Sequence, residues 1–468
     1  MIIPGSVPLG PRRIQIPVIF LEEKMENEKI LKEFIGYTTL NILGMAGLSC
    51  YILADTFFIS CDMGSDGITA LNLALPIYSV IHGSGLMLGI GGSTKYSIAK
   101  SRGDDKAADI IFTNTLFFAL ILSLIYSLCG LFFSHRLTSL LGADSSIFEL
   151  TETYLRVMML FSPAFILNDM FLCFIRSDRS PALAMTAMLC GSFSNIFLDY
   201  LFIFPFKMGM FGAILATGLA PIISLTLQSL HKITGRNGFH ITKTLPHPRL
   251  ISEIFKLGVP SLVTELASGI VILVFNFISL ALSGNAGVAA YGIVANVSLV
   301  AAAVFSGCAQ GIQPLLSRVR GQSDGKTAAL IFKYALAAGA IISAVMYGFI
   351  LLKSGLITDI FNRDGDTLLH SLAVVGMRIY FAALPFMGFN IILTVFFTSA
   401  EKAIPAQILT LARGFFIIIP SAFILSALFD MTGIWLSFPV AEALSSVIGI
   451  IFLKNNKKMY YIDKIGTK

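Results

Sequence analysis

Charge is what this sequence has least of. Only 13% of its 468 residues are Asp, Glu, Lys or Arg, 56% are hydrophobic, and the mean hydropathy is +0.82. A soluble domain carries roughly 25% charged residues, so this chain cannot clothe a water-exposed surface. Soluble enzymes, nucleic-acid binders and disordered scaffolds are excluded. Cysteine is equally thin: Cys50, Cys61, Cys129, Cys173, Cys190 and Cys308 stand singly, mostly in apolar stretches. No CxxC pair or metal-type spacing occurs, which argues against a disulfide framework or a zinc site. The six histidines are dispersed, so the clustered His, Asp and Glu of a membrane enzyme are missing. The chain reads as a non-enzyme that needs no cofactor. One stretch, Gly321-Gln322-Ser323-Asp324-Gly325-Lys326-Thr327, imitates a phosphate-binding loop. It has one residue too few between its glycines and follows no strand, so no nucleotide partner is expected.

What the sequence does have is apolar runs of about twenty residues or more, the length a helix needs to cross a bilayer. Cut at charged and turn-rich stretches, they give twelve spans, at about 36–60, 70–97, 107–133, 149–174, 181–204 and 209–231, then 254–282, 287–316, 328–352, 370–397, 404–428 and 432–453. The expected fold is an all-α polytopic membrane protein. Its organisation reads as an extension over 1–33, a six-helix lobe over 34–231, a polar linker over 232–253, a second lobe over 254–454 and a basic tail over 455–468. The extension is read either as cytoplasmic or as sequence upstream of a start at Met25. With the N-terminus inside, most of the 33 lysines and arginines fall in cytoplasmic segments. Arg136, Lys207, Lys353 and Arg363 are left outside, and four more basic residues lie within spans. The positive-inside rule thus predicts both termini in the cytoplasm.

An internal repeat is visible. Phe58-Ile59-Ser60 recurs as Phe277-Ile278-Ser279, and Arg102-Gly103 as Arg320-Gly321. Arg156, Pro163, Asn168 and Ser177 recur as Arg378, Pro385, Asn390 and Ser399, each 222 residues on. Six spans per half make the repeat parallel, and such folds bind substrate in a central cavity between the halves. A transporter is expected.

Charged groups within spans are costly, about 2.5–3.5 kcal/mol at a helix centre, and are functional candidates by default. Asp55 lies late in span one, and Asn195 and Asp199 share one face of span five. Two carboxylates in low dielectric either keep a proton or take up a cation, and oxygen donors of this kind suit Na⁺ as well as H⁺. The competing reading puts Asp55 in water at the outer interface and leaves Asp199 hydrogen-bonding a neighbouring helix. Glu265 in span seven and Glu442 in span twelve are further acids. Arg156, Arg378 and Arg413 are expected near span ends or beside acidic partners, and His82 as a hydrogen-bonded packing residue.

The chain resembles the multidrug and toxic compound extrusion (MATE) family over about 34–454. The stretches that carry the resemblance are Ala54-Asp55-Thr56-Phe57-Phe58-Ile59, Asn195-Ile196-Phe197-Leu198-Asp199, the run from Gly209 to Thr217, Gly311-Ile312-Gln313-Pro314, and the run from Gly433 to Ala441. The resemblance implies two lobes that open a central cavity alternately to each side, and export of organic compounds driven by H⁺ or Na⁺. It places a cation site on Asp55, Asn195, Asp199 and Thr217, with Glu265, Gln313 and Arg378 as candidates for the cavity or a secondary site. The chain departs from the family pattern in lacking the proline early in span one, where Leu40-Asn41 stands, and in Ser317-Arg318-Val319-Arg320 after the span-eight motif. The reading is a cation-coupled antiporter of amphipathic organic cations in a bacterial cytoplasmic membrane, with small organic substrates and the bilayer as its partners. The alternative is a flippase for lipid-linked glycans or other lipids, which a basic cavity around Arg378 and Arg413 would favour.

Overall fold

A computed structural model of the chain describes residues 12–235, 237–362 and 366–455, with side chains described from Met25 onward except at positions 65 and 285. The expectations for Arg12, Arg13, Arg236, Arg363 and the tail lysines past Lys454 fall outside the described side chains.

Among the described residues, twelve helices form the body. They are α1 (Met25–Gly64), α2 (Asp66–Ser101), α3 (Asp105–Leu140), α4 (Phe148–Leu160 continued by Ser162–Ser177), α5 (Pro181–Ile203) and α6 (Gly209–Ile233). The second set is α7 (Pro248–Gly284), α8 (Ala286–Gly321), α9 (Gly325–Phe361), α10 (Thr367–Ser399), and then α11 (403–428) and α12 (431–455), which divide Ala403–Asn455 at Phe429 and Asp430. Three reversals share one backbone geometry: Gly64 (φ 59°, ψ −142°), Gly284 (φ 59°, ψ −149°) and Asp430 (φ 49°, ψ −136°). Only a residue without Cβ adopts it freely. Helices α7 and α1 begin before the hydrophobic spans that mark them, because polar turns at the membrane edge extend both. Pro248 opens α7 at a position where its missing N–H costs nothing.

The structure repeats as the sequence does. Pro163 follows a 49° bend in α4, and Pro385 follows a 3₁₀ turn, Phe381–Ala383, in α10. Asp104 caps α3 by accepting from the Ala107 N–H (2.9 Å), and Asp324 caps α9 by accepting from Lys326 and Thr327 (3.1 and 3.0 Å). The phosphate-loop look-alike is therefore a helix cap. Arg156 Nε donates to Ser134 Oγ (3.1 Å), pinning α4 to α3, and Arg378 Nε donates to Ser354 Oγ (3.2 Å), pinning α10 to α9.

Each lobe has its own core. In the first, Tyr96, Phe112 and Phe174 surround Phe239, which the linker contributes, with ring centroids 4.6–5.9 Å apart. In the second, Trp435, Tyr291, Phe275, Phe305 and Phe381 are fully buried. Outward faces are apolar: Leu120, Leu124, Leu128 and Phe132 form an exposed stripe along α3, and Ile341, Val345, Phe349 and Leu352 one along α9. Such faces suit contact with lipid rather than water.

The lobes join at the end where α1 starts and α12 finishes, called the proximal end below. Gly311 of α8 approaches so closely that a Cβ there would lie 2.8 Å from Thr38 Cα, and one at Gly307 would lie 2.7 Å from Ile42 Cα. Gly269 and Gly292, farther toward the distal end of α7 and α8, face open space. Polar contacts gather at the same seam. Gln313 Nε2 donates to Thr94 Oγ1 (2.8 Å), Arg318 forms a two-pronged pair with Glu33 (2.7 and 2.8 Å), and Lys95 meets Glu253 and Glu401 (2.7 and 2.8 Å).

Candidate functional site

Three helices of the first lobe bring the acidic residues together. Asp55 (α1), Asn195 and Asp199 (α5) and Thr217 (α6) are all buried, Asn195 and Asp199 completely. One turn separates Asn195 from Asp199, so both side chains leave α5 on the same side. Oriented to satisfy its neighbours, the Asn195 amide donates to Asp199 Oδ2 (3.1 Å) and accepts from the Thr217 N–H (3.2 Å). The Thr217 hydroxyl donates to the Ala213 carbonyl (3.1 Å). Pro221, four residues along α6, offers no N–H to the Thr217 carbonyl, so that oxygen lacks its helical donor. Asp55 Oδ1 and Asp199 Oδ1 are buried without a hydrogen-bond partner among the described residues. An unpartnered carboxylate oxygen is costly in a low-dielectric setting, and a proton or a small cation would satisfy it. All the donors are hard oxygens.

This cluster opens on a cavity of about 100 Å³ between the lobes, which Thr217 itself lines. The first lobe also contributes Tyr51, Tyr78, His82 and Asp169 to its wall, and the second lobe Glu265 and Gln310. The Tyr51 and Tyr78 hydroxyls are 3.2 Å apart, and the Tyr78 ring stacks on His82. His82 Nδ1 lies 2.8 Å from Asp169 Oδ2 at the cavity wall, a pair that is ionic when the imidazole is protonated. Arg176, buried at the seam, donates to Asn41 Oδ1 (2.9 Å), to the Leu172 carbonyl (3.2 Å) and to Gln310. It ties α4 to α1 and to α8.

The remaining candidates separate. Glu265 reaches the cavity. Gln313 is buried in the proximal seam. Arg378 is exposed and serves as the α9–α10 pin, so it is not at the cavity. Arg413 pairs with Glu442 (2.6 Å) inside the second lobe, where Asn390 also donates to Glu442 (2.7 Å). A basic cavity around Arg378 and Arg413 does not form. Asp169 and Arg176 are the residues that sequence reasoning missed. Asp169 is a charged group inside span four, and that was the available signal, whereas Arg176 lies two residues past the predicted end of that span at 174.

Two matched six-helix lobes around a central cavity, with apolar outer faces, define a polytopic membrane transporter. The MatE family model matches residues 41–201 and 260–424, and the chain belongs to that family. It is 27% identical over 443 residues to the multidrug export protein MepA of Staphylococcus saprophyticus, covering 94% of this chain and 97% of that one. It is 26% identical over 430 residues to MepA of Staphylococcus aureus strain MSSA476, covering 92% and 94%. The fold matches a crystal structure of a MATE protein in complex with MaL6 at a TM-score of 0.86 and 21% identity, covering 92% of this chain and 96% of that one. It also matches an outward-facing multidrug resistance MATE transporter of the MOP superfamily, with the same score, identity and coverage.

Proposed function

We propose that the protein is an antiporter that exports amphipathic organic cations from a bacterial cytoplasm, driven by inward H⁺ or Na⁺. Asp55, Asn195, Asp199 and Thr217 hold the coupling ion. The observation that carries this reading is the buried carboxylate pair, with unpartnered oxygens, beside a cavity that both lobes line. The names of the MepA relatives support drug export. The basic proximal loops support a cytoplasmic proximal end and cytoplasmic termini. With the lobes joined at the proximal end, this conformation corresponds to an outward-facing one. Occupancy of the first-lobe site by a cation removes its uncompensated charge and so shifts the balance between the two lobe arrangements. The six-helix lobes and their linker are the moving units. The lipid-flippase alternative lacks the support of a basic cavity around Arg378 and Arg413, neither of which lines the cavity.

The test is efflux of ethidium from proteoliposomes under an imposed pH or Na⁺ gradient, with the wild type and Asp199→Asn. Gradient-driven transport that the substitution abolishes is the expected result. Transport that survives the substitution would remove the first-lobe site from the mechanism. Transport under neither gradient by folded protein would remove the antiport reading.

A further inference from the structure

The cavity holds a second set of charged groups that the first-lobe cluster does not use. His82 comes from α2, Asp169 and Arg176 from α4, and Glu265 from α7 in the opposite lobe. Each is embedded where a net charge is expensive. His82 and Asp169 touch at 2.8 Å. Helices α2 and α7 meet beside them: a Cβ on Gly83, the residue after His82, would lie 3.2 Å from Glu265 Cβ. On the other side of Asp169, Gly85 keeps α2 clear, because a Cβ there would sit 2.8 Å from Asp169 Oδ2. The backbone of α2 is thus shaped to admit the acid. Besides Asp169 and Glu265, the titratable or charged groups facing His82 are Tyr78 on its own helix, Tyr51 on α1 behind Tyr78, and Arg176 two turns along α4.

The charge balance of this set is specific. Asp169 and Glu265 bring two negative charges. Arg176 brings one fixed positive charge, its donors spent on Asn41, Gln310, the Leu172 carbonyl and Cys173. The set is neutral when His82 is an imidazolium. It is neutral again when His82 is uncharged and one monovalent cation lies between the carboxylates. Aromatic faces on Tyr51, Tyr78 and Phe165 border the same space and attract organic cations more than hydrated metal ions. Among the described residues, no group of His, Cys, Asp or Glu is placed to hold a metal.

We propose that His82, Asp169 and Glu265 form a proton-for-cation exchange site in the central cavity, separate from the Asp55–Asp199 pair. The imidazolium of His82 gives its proton to cavity water when the cationic nitrogen of an organic substrate settles between the two carboxylates. A returning proton on His82 expels the substrate. This rests on the export reading above and adds to it a residue-level exchange at the substrate itself.

The experiment uses the full-length protein in lipid nanodiscs and ethidium, whose quaternary nitrogen carries no proton of its own. Binding is followed by fluorescence, and proton release by a pH indicator in weak buffer. The wild type should release about one proton per ethidium bound, and its Kd should rise about tenfold per unit of falling pH where that release is complete. His82→Gln should still bind ethidium, with the proton release lost and the pH dependence flattened. Asp169→Asn should weaken binding at least tenfold. A His82→Gln protein that releases as many protons as the wild type would overturn the inference, as would folded wild-type protein that does not bind ethidium. His82→Gln that fails to bind while Asp169→Asn binds normally would also overturn it. The two readings fail separately. Unchanged proton release in His82→Gln leaves gradient-driven transport standing, whereas a lack of transport under either gradient defeats the export reading whatever the binding data show.

Discussion

Lys95, near the proximal end of α2, reaches Glu253 at the start of α7 across 2.7 Å and so bonds the first lobe to the second. The same ammonium lies 2.8 Å from Glu401 in the turn between α10 and α11. One cation therefore holds two separate segments of the opposite lobe. Both acids are partly exposed, so each pair is worth about 0.2–1 kcal/mol. Together they bias the seam without locking it.

Lys95→Ala should thus raise the fraction of molecules with an open proximal seam about fivefold, the equivalent of roughly 1 kcal/mol. Ser97 is buried in that seam and donates to the Pro314 carbonyl (3.4 Å), so a cysteine there reports on opening. In a background free of the native cysteines, the labelling rate of Ser97→Cys by a water-soluble maleimide should rise about fivefold on adding Lys95→Ala. An unchanged rate would show that these ion pairs do not hold the seam.

Gly311 supplies a steric counterpart. Its missing side chain lets α8 lie against the backbone of Thr38 and Tyr37. Neither backbone can yield as a flexible side chain would, and overpacking of this kind costs about 1–3 kcal/mol. Gly311→Val should therefore disfavour the sealed seam by about tenfold or more. The Ser97→Cys label should react faster, and gradient-driven ethidium efflux should fall by a similar factor. Efflux at the wild-type rate would mean that this contact is not made during transport.

Much of this architecture could be read from the sequence, for definable reasons. Apolar runs must match bilayer thickness, so the spans were visible. Arg156 and Arg378 had to pin neighbouring helices at matching places, so the repeat was too. Asp55 and Asp199 stood out because a carboxylate within an apolar run needs a reason to be there, and Asn195 because it shares a helix face with Asp199. The structure brings all three together with Thr217. Pairings between helices distant in sequence were not legible. His82 and Asp169 are 87 positions apart, and no spacing rule puts them 2.8 Å from each other. Arg378 looked like a cavity residue because it is charged and repeated. It is repeated because Arg156 and Arg378 perform the same pinning task in each lobe.

The reversal between α11 and α12 breaks a pattern that its two counterparts keep. Gly64 and Gly284 occupy this conformation without strain, whereas Asp430 carries a Cβ into it at φ 49° and ψ −136°. Strain of this kind is worth about 1–3 kcal/mol. Asp430→Gly should relieve it and raise the Tm in detergent by a few degrees, while Gly284→Ala should lower it. A fall in Tm for Asp430→Gly would show that the aspartate contributes more than its backbone costs.

The buried network of the second lobe makes a further prediction. Glu442 Oε1 accepts from Arg413 Nη2 (2.6 Å) and Nε (3.1 Å), while Glu442 Oε2 accepts from Asn390 Nδ2 (2.7 Å). The π-helical turn Ala412–Phe416 contains Arg413 and sets where the guanidinium leaves α11. Each charge here is neutralised by its partner, which distinguishes the site from the carboxylates of the first lobe with their unpartnered oxygens. Removing one partner strands the other, at a cost of about 3–5 kcal/mol. Arg413→Met and Glu442→Gln should each lower the Tm sharply. In the double variant the glutamine keeps the Asn390 bond and no charge is left buried, so most of the loss should be recovered. Equal and additive losses would mean that the two residues act independently. Because the pair lies away from the cavity, the double variant should still transport ethidium, and loss of transport in a folded double variant would assign this network a part in the transport cycle.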